Sequence, residues 1–182
     1  MLYQILAFLL DVATGLLGGA CLLRLFMQVQ RISFSNPVGR FVFALTDWLV
    51  LPLRRVLPAY RRWDTASLAA AYLLQLAQFG LLWLAAGRGA GAELVPLLAL
   101  FGLVRLVISA MTVLVLVYAI MSWVRADTPI TDVIERLCAP LLRPFRRMIP
   151  LVGGFDLSPL ALLVLLQVGA IVLASVQQSL FR

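Results

Sequence analysis

The sequence predicts an all-α fold, namely a polytopic helical membrane protein with about four transmembrane helices in two parallel tandem repeats. Of its 182 residues, 63% are hydrophobic, whereas soluble domains contain about 45–50% apolar residues. Four apolar blocks reach the length of about 20 residues that a helix needs to cross a bilayer. In addition, residues 36–75 align without gaps with residues 128–167, at a constant offset of 92 positions (128 − 36).

The four apolar blocks are the predicted spans, and they cover roughly residues 2–26, 67–86, 97–123 and 158–180. The first block is not expected to be a cleaved signal peptide, because no Lys or Arg precedes Arg24 and the apolar run is too long for a signal-peptide core. Arg24 lies near the end of this block, where we expect a simple anchor whose side chain extends to the membrane surface.

The placement of the arginines predicts how the spans are oriented. The net charge is +7, and all basic residues are arginines. Most of them lie between spans one and two or between spans three and four, whereas Arg88 stands in the middle connection and Arg182 at the C-terminus. The positive-inside rule therefore places both arginine-rich connections in the cytoplasm and both termini outside. Clustering beside spans also favours membrane lipids, anionic ones in particular, over nucleic acid as the partner of these arginines.

The internal repeat divides the chain into a first unit, 1–88, and a second unit, 89–182. Each unit is predicted to consist of a span, an amphipathic helix, a proline-bounded basic turn and a second span. The basic turns are PLRRVLP from Pro52 to Pro58 and PFRRMIP from Pro144 to Pro150. Because each unit has an even number of spans, both units enter the membrane in the same direction, related by a pseudo-two-fold axis along the membrane normal.

The amphipathic helices are predicted to begin at Asn36-Pro37 and Thr128-Pro129. Asn and Thr can cap a helix N-terminus, and Pro suits the first helical position. Apolar residues then follow at the spacing of one helical face. They are Val38, Phe41, Val42, Leu45 and Leu49 in the first unit and Ile130, Val133, Ile134, Leu137 and Leu141 in the second. Such helices either lie in the cytoplasmic interface with this face toward lipid or pack beneath the bundle.

Two arginine pairs, Arg54-Arg55 and Arg146-Arg147, form the predicted docking face. The pseudo-symmetry places all four guanidinium groups on the cytoplasmic side, where they suit a phosphate headgroup or an acidic protein partner. Ordinary positive-inside anchoring is the alternative interpretation.

Asp64 and Asp156 precede the second span of each unit and are predicted helix caps. A carboxylate there can accept from free N–H groups and is favoured by the helix dipole. Ser158 is an alternative cap, and an ion pair with the nearby arginines is an alternative role for both aspartates.

Asp11 and Arg105 are charged residues within apolar blocks, where a charge costs roughly 2.5–3.5 kcal/mol. The offset aligns Arg105 with Ala13, so the two charges would differ in depth by only about 3 Å. We therefore predict an ion pair between the units. If span three begins later, Arg105 instead extends to the outer interface.

The sequence offers no chemistry typical of an enzyme or of a cofactor site. It has no histidine, and it shows no nucleophile motif, metal-ligand spacing or phosphate-binding glycine loop. Cys21 and Cys138 show no disulfide framework. We predict a non-enzymatic protein without a cofactor.

Several segments resemble the YggT/YlmG family of small bacterial and plastid membrane proteins. They are LLRLFMQ at 22–28, SNP at 35–37, LPLRRVLPA at 51–59, AIMSWV at 119–124, APLLRPFRRMIP at 139–150 and GGFDLSP at 153–159. The likeness spans both units and is closest to two-repeat inner-membrane members from proteobacteria.

The resemblance implies links to cell division and envelope organisation, to osmotic or potassium stress and, in plastids, to nucleoid distribution or to haem attachment to cytochrome b6. The haem role fits this histidine-free chain poorly. We expect a scaffold or assembly factor that binds anionic lipid and an unidentified protein partner. The alternative is a small channel or transport-linked protein, acting as a homo-oligomer, with Asp11 and Arg105 on a polar path.

Overall fold

A computed structural model describes residues 1–57, 64–87, 91–124, 128–148 and 156–180. Within these ranges the chain is helical and has no strand. The α-helices are α1 Leu2–Val29, α2 Pro37–Val56, α3 Thr65–Ala85, α4 Val95–Val124, α5 Pro129–Met148 and α6 Ser158–Leu180. A short 3₁₀ turn, Ala92–Leu94, precedes α4.

Four helices in the described ranges are long and apolar enough to cross a membrane: Leu2–Val29, Thr65–Ala85, Ala92–Ser122 and Ser158–Leu180. The predicted all-α class and the predicted number of spans are therefore confirmed. Length and apolar composition make the chain a multi-pass membrane protein.

The two shorter helices, α2 and α5, have 20 residues each, and their bounds differ by 92 positions at both ends (129 − 37 and 148 − 56). Helix α2 packs against α1 and α3, while α5 packs against α4 and α6. Helix α1 also packs against α3, and in the same way α4 packs against α6. The helix contacts within residues 1–87 thus have counterparts within residues 91–180.

The buried faces of α2 and α5 are turned toward the other helices. In α5, Val133, Ile134 and Leu137 of the predicted apolar face are buried. In α2, Val42 is buried but Phe41 is 60% exposed, because the face that packs on α1 and α3 runs through Gly39, Val42, Thr46 and Val50.

The predicted basic turns are wrong in their local structure. Both arginine pairs lie in the last turn of a helix, since α2 continues to Val56 and α5 to Met148. Pro52 and Pro144 lie inside these helices. Positive side chains are favoured at a helix C-terminus by its dipole, which is the physical reason for the observed placement. Pro58 and residues 149–155 are outside the described residues.

The helices of the two halves approach closely through small residues. A Cβ atom on Gly18 of α1 would lie 2.6 Å from Cδ2 of Leu106 in α4, so a larger residue at position 18 would require that side chain to move. Ala66, Ala70 and Ala71 of α3 are fully buried in a core cluster that also contains Leu106 of the second half. A separate buried cluster joins the halves and contains Met27, Ile32, Val133 and Leu137.

Candidate functional site

Arg24 is the central residue of a buried polar network in the first half. Its side chain is 2% exposed. Nη1 donates to Thr46 Oγ1 at 2.8 Å and to Asp47 Oδ1 at 2.6 Å. The guanidinium carbon lies 4.5 Å from the centre of the Phe43 ring. The expectation of an anchor that reaches the membrane surface is therefore wrong, because α2 supplies partners that hold Arg24 inside the protein.

Asp64 connects this network to the first arginine pair. It is completely buried, and its Oδ2 lies 2.5 Å from Arg54 Nη2 and 3.7 Å from Arg24 Nε. It is also the N-cap of α3, since Oδ1 accepts from the Ser67 N–H at 3.4 Å and Oδ2 accepts from the Ser67 hydroxyl at 2.7 Å. The same carboxylate thus makes both interactions that the sequence offered as alternatives.

The pKa of Asp64 agrees with a charged carboxylate in this position. Burial alone would raise the pKa, but the hydrogen bonds from Arg54 and Ser67 outweigh burial. The pKa therefore lies below its ordinary value of 3.8. Arg54 also donates to Gln28 Oε1 at 3.2 Å, so this arginine joins α1, α2 and the start of α3.

An equivalent ion pair forms in the second half, at positions 92 residues later. Arg146 Nε lies 2.8 Å from Asp156 Oδ2, and Asp156 Oδ1 accepts from the Ser158 N–H at 2.9 Å. Arg146 also donates to the Tyr118 hydroxyl. Burial acts to raise the pKa of Asp156, yet the hydrogen bonds from Ser158 and Arg146 lower it overall. Asp156 thus contacts both Ser158, the first residue of α6, and Arg146 in the last turn of α5.

The ion pairs divide the four arginines of the predicted docking face into two kinds. Arg54 and Arg146 are engaged with aspartates. Arg55 and Arg147 are exposed, and neither has an ion pair with another described residue. Arg54 and Arg146 are partly exposed as well, but only Arg55 and Arg147 of these four arginines lack an aspartate partner among the described residues.

Asn36 and Thr128 occupy the starts of α2 and α5, as the sequence predicts. Asn36 Oδ1 accepts from the Gly39 N–H at 2.8 Å. Thr128 Oγ1 accepts from the Thr131 N–H at 3.3 Å. Both are side-chain hydrogen bonds to a free helical N–H three residues on, the geometry of an N-cap.

The predicted ion pair between Asp11 and Arg105 is not among the ion pairs of the described residues. Asp11 instead accepts from Gln78 Nε2 at 3.3 Å, and Gln78 Oε1 accepts from the Thr14 hydroxyl at 2.6 Å. Leu106, the neighbour of Arg105, meets α1 at Gly18. Gly18 is seven residues past Asp11, about 10 Å along the helix, and this shift separates the two charges.

Sequence reasoning did not identify Arg24, Gln28, Thr46 and Asp47 as members of one site. The available signals were the charge of Arg24 inside an apolar block and its spacing of four residues from Gln28, which places both on one face of α1. With Arg54 and Asp64, the network contains two arginines and two aspartates. It is therefore balanced in charge, which suits the joining of helices better than the binding of a free anion.

Comparison with known proteins assigns the chain to a family. The family model described as CCB3/YggT matches residues 3–85 and 97–177, one stretch in each half. The chain belongs to the CCB3/YggT family. Every residue of the Arg24 network and of the second Arg–Asp pair lies within the matched stretches, and the resemblance noted in the sequence is confirmed.

Individual CCB3/YggT relatives cover most of the chain. It is 38% identical over 181 residues to the "Uncharacterized protein YggT" of Escherichia coli K12, an alignment that covers 96% of this chain and 92% of the relative. It is 36% identical over 166 residues to an uncharacterized protein of Vibrio alginolyticus, covering 89% of each chain. A Pseudomonas aeruginosa protein is 34% identical over 143 residues, covering 76% of this chain and 73% of the relative. No solved structure matches the chain.

Proposed function

We propose that this CCB3/YggT protein is a non-enzymatic scaffold or assembly factor of the bacterial inner membrane. Its two units are parallel, and each carries an amphipathic helix at the cytoplasmic interface. The role is linked to envelope organisation, cell division or osmotic stress. The observation that carries the proposal is the Arg–Asp pair that recurs at the same two positions of each half, Arg54–Asp64 and Arg146–Asp156.

These ion pairs support a display function for the ends of α2 and α5. Each pair ties the last turn of one helix to the residues just before the next span. The following arginine in each case, Arg55 or Arg147, is exposed. A fixed helix end with an outward guanidinium is suited to an acidic protein surface or a phosphate group. Two such ends would give a partner two points of attachment.

The orientation of the units supports a cytoplasmic location for this surface. Both arginine pairs lie in connections that the positive-inside rule assigns to the cytoplasm. The docking surface, defined here as Arg55 and Arg147, would then face cytoplasmic proteins and the anionic inner leaflet.

Photocrosslinking in native membranes tests the scaffold. Probes beside Arg55 and Arg147 are expected to capture a protein partner, and Arg55→Gln with Arg147→Gln should reduce capture at least tenfold while leaving the amount of inserted protein unchanged. The matched control is Arg88→Gln with Arg182→Gln, which removes the same charge from the predicted outer side. Equal capture by wild type and the docking variant would refute the docking surface.

A small homo-oligomeric channel is the second candidate function. It is favoured by the hydrogen-bonded series Thr14, Gln78 and Asp11 between the apolar helices α1 and α3. Asp11 is exposed at the protein surface, where a neighbouring copy could enclose a polar path.

Ion flux into vesicles that contain the purified chain tests the channel. Asp11→Asn should abolish flux, whereas Asp132→Asn, an exposed residue of α5 outside the spans, should leave it unchanged. Vesicles with wild-type protein that conduct no better than empty vesicles would eliminate this candidate.

A further inference from the structure

A basic pocket lies between the end of α1 and the outer face of α5. Its volume is about 330 Å³. It is lined by Gln30, Arg31, Ile32, Arg136, Ala139, Pro140 and Arg143. The volume is at the small end of the roughly 300–1,000 Å³ found for ligand sites, so it matches a headgroup rather than a whole lipid.

The charge of this pocket is uncompensated. Three arginines line it, and no acidic residue does. None of the three arginines forms an ion pair with another described residue. Asp132 and Glu135 belong to the same helix as Arg136, but they lie outside the lining. In contrast to the Arg24 network, the pocket therefore has an excess of positive charge.

The walls of the pocket are held in place by hydrogen bonds. Gln30 Nε2 donates to the Leu137 carbonyl oxygen at 3.0 Å and so ties the end of α1 to α5. The Arg31 N–H donates to Gln28 O at 3.1 Å, and the Ile32 N–H donates to Met27 O at 3.0 Å. Arg31 has a φ of 57°, which is uncommon for a residue other than glycine. These bonds hold Gln30, Arg31 and Ile32 beside α5, where Arg31 lines the same pocket as Arg136 and Arg143.

We propose that this pocket binds the phosphate of an anionic phospholipid headgroup. Planar guanidinium groups bind phosphate oxygens through paired hydrogen bonds, and three arginines line this pocket. Arg31 follows the end of the α1 span by two residues (31 − 29), which places the pocket at the depth of the headgroups. Ile32, Ala139 and Pro140 add an apolar wall against which the first methylene groups of an acyl chain can pack.

The three arginines of the pocket are not repeated in the sequence. Under the 92-residue offset, Arg31 corresponds to Trp123, Arg136 to Ala44 and Arg143 to Leu51. The repeated halves therefore contribute different residues to a site between them. This site is also separate from the docking surface at Arg55 and Arg147, so it does not depend on the proposed scaffold function.

Native mass spectrometry of the purified full chain tests the proposal. Released into mild detergent, the wild type should retain one phosphatidylglycerol molecule and bind phosphatidylcholine at least tenfold more weakly. Arg31→Gln, Arg136→Gln and Arg143→Gln together should weaken phosphatidylglycerol binding at least tenfold. Arg40→Gln, Arg88→Gln and Arg182→Gln together remove equal charge outside both the pocket and the docking surface, and this variant should still retain one molecule.

Two further arms distinguish the source of the phosphate and guard against misfolding. Inorganic phosphate should not displace the lipid at millimolar concentration, and displacement by phosphate would overturn the assignment to a lipid. If the triple variant does not fold, Arg143→Gln alone should still weaken binding several-fold with an unchanged melting temperature. Equal losses in the pocket and control variants, or equal binding of phosphatidylcholine, would also overturn it.

Discussion

At the scale of single residues, Arg24 shows how a charge can be stable within an apolar helix. Its hydrogen bonds to Thr46 and Asp47 and its position over Phe43 replace part of the water that a surface guanidinium would bind, while its Nε lies 3.7 Å from Asp64 Oδ2 without a hydrogen bond. Asp47 is 43% exposed and Asp64 is also paired with Arg54, so the loss of Arg24 would leave neither aspartate as an unpaired buried charge. Removing Arg24 should therefore cost less than the roughly 3–5 kcal/mol typical of a broken buried ion pair.

Arg24→Gln should destabilise the folded protein by about 1–3 kcal/mol, because its hydrogen bonds to Thr46 and Asp47 would be lost while Asp64 would keep Arg54. Thermal melting in detergent measures the effect, with the exposed Arg40→Gln as the control. Equal melting temperatures for Arg24→Gln and the control would contradict a stabilising network around Arg24.

The lowered pKa values of Asp64 and Asp156 predict a loss of stability in acid. The unfolded chain takes up protons near the ordinary value of 3.8, whereas the folded carboxylates remain charged to lower pH. Their contribution is therefore complete above about pH 5 and is lost as the pH falls through 3.8 toward the folded pKa.

Melting temperatures measured between pH 7 and pH 3 test the predicted loss of stability in acid. Asp64→Asn should have a lower melting temperature at pH 7 and a shallower loss in acid than the wild type, whereas Asp132→Asn should follow the wild-type slope. Parallel curves for the wild type and Asp64→Asn would show that Asp64 does not contribute to acid sensitivity.

At the scale of helices, the repeated ion pairs differ in burial and therefore in strength. The Asp64 side chain is completely buried, whereas Asp156 is 20% and Arg146 39% exposed. Water competes with the second pair more than with the first. The end of α2 should consequently be held more firmly than the end of α5.

Double-mutant cycles with Arg→Gln and Asp→Asn changes measure this difference. We expect a coupling energy of about 2–3 kcal/mol for Arg54 and Asp64, and about 1 kcal/mol or less for the more exposed Arg146 and Asp156. A stronger coupling in the second half would contradict the order that burial implies.

The helices illustrate which features the sequence could predict. The spans could be predicted from the apolar blocks, and the starts of α2 and α5 could be predicted from the caps Asn36 and Thr128. Both signals depend only on residues that are close together in the sequence. The rotation of α1 and α4 could not be predicted, since helices that are apolar on all sides carry little information about which face packs. For that reason the sequence predicts Arg105 as the partner of Asp11, whereas the hydrogen-bond partner in the structure is Gln78.

The polar network was also beyond sequence reasoning. Arg24 meets Asp47 and Asp64, which are 23 and 40 residues away in the chain (47 − 24 and 64 − 24). Such a distance carries no spacing signal, and only the packing of α1, α2 and α3 brings these side chains together. The pocket at Arg31 depends in the same way on the contact of α1 with α5.

At the scale of the whole molecule, charge determines the expected orientation. With both arginine-rich connections in the cytoplasm, the N-terminus and C-terminus should both lie on the outer side of the inner membrane. The Arg31 pocket and the docking surface would then share the cytoplasmic side.

Reporter fusions after Arg182 test this orientation. A reporter enzyme that is active only in the periplasm should be active when fused after Arg182. A fluorescent protein that matures only in the cytoplasm should show no fluorescence at the same position. The same reporters fused within the connection before Asp64 should give the opposite result. Fluorescence from the C-terminal fusion would place the C-terminus in the cytoplasm and would contradict the predicted orientation.

The Arg24 network has a consequence for biosynthesis. Its members lie within the first 64 residues, whereas the positions corresponding to Arg24, Thr46 and Asp47 in the second half are Leu116, Cys138 and Ala139. The first half can thus neutralise its membrane-embedded charge while the second is still being translated. We expect a nascent chain that ends after α3 to remain in the bilayer and to resist proteolysis, because the charges of this network are already paired when α4 is made.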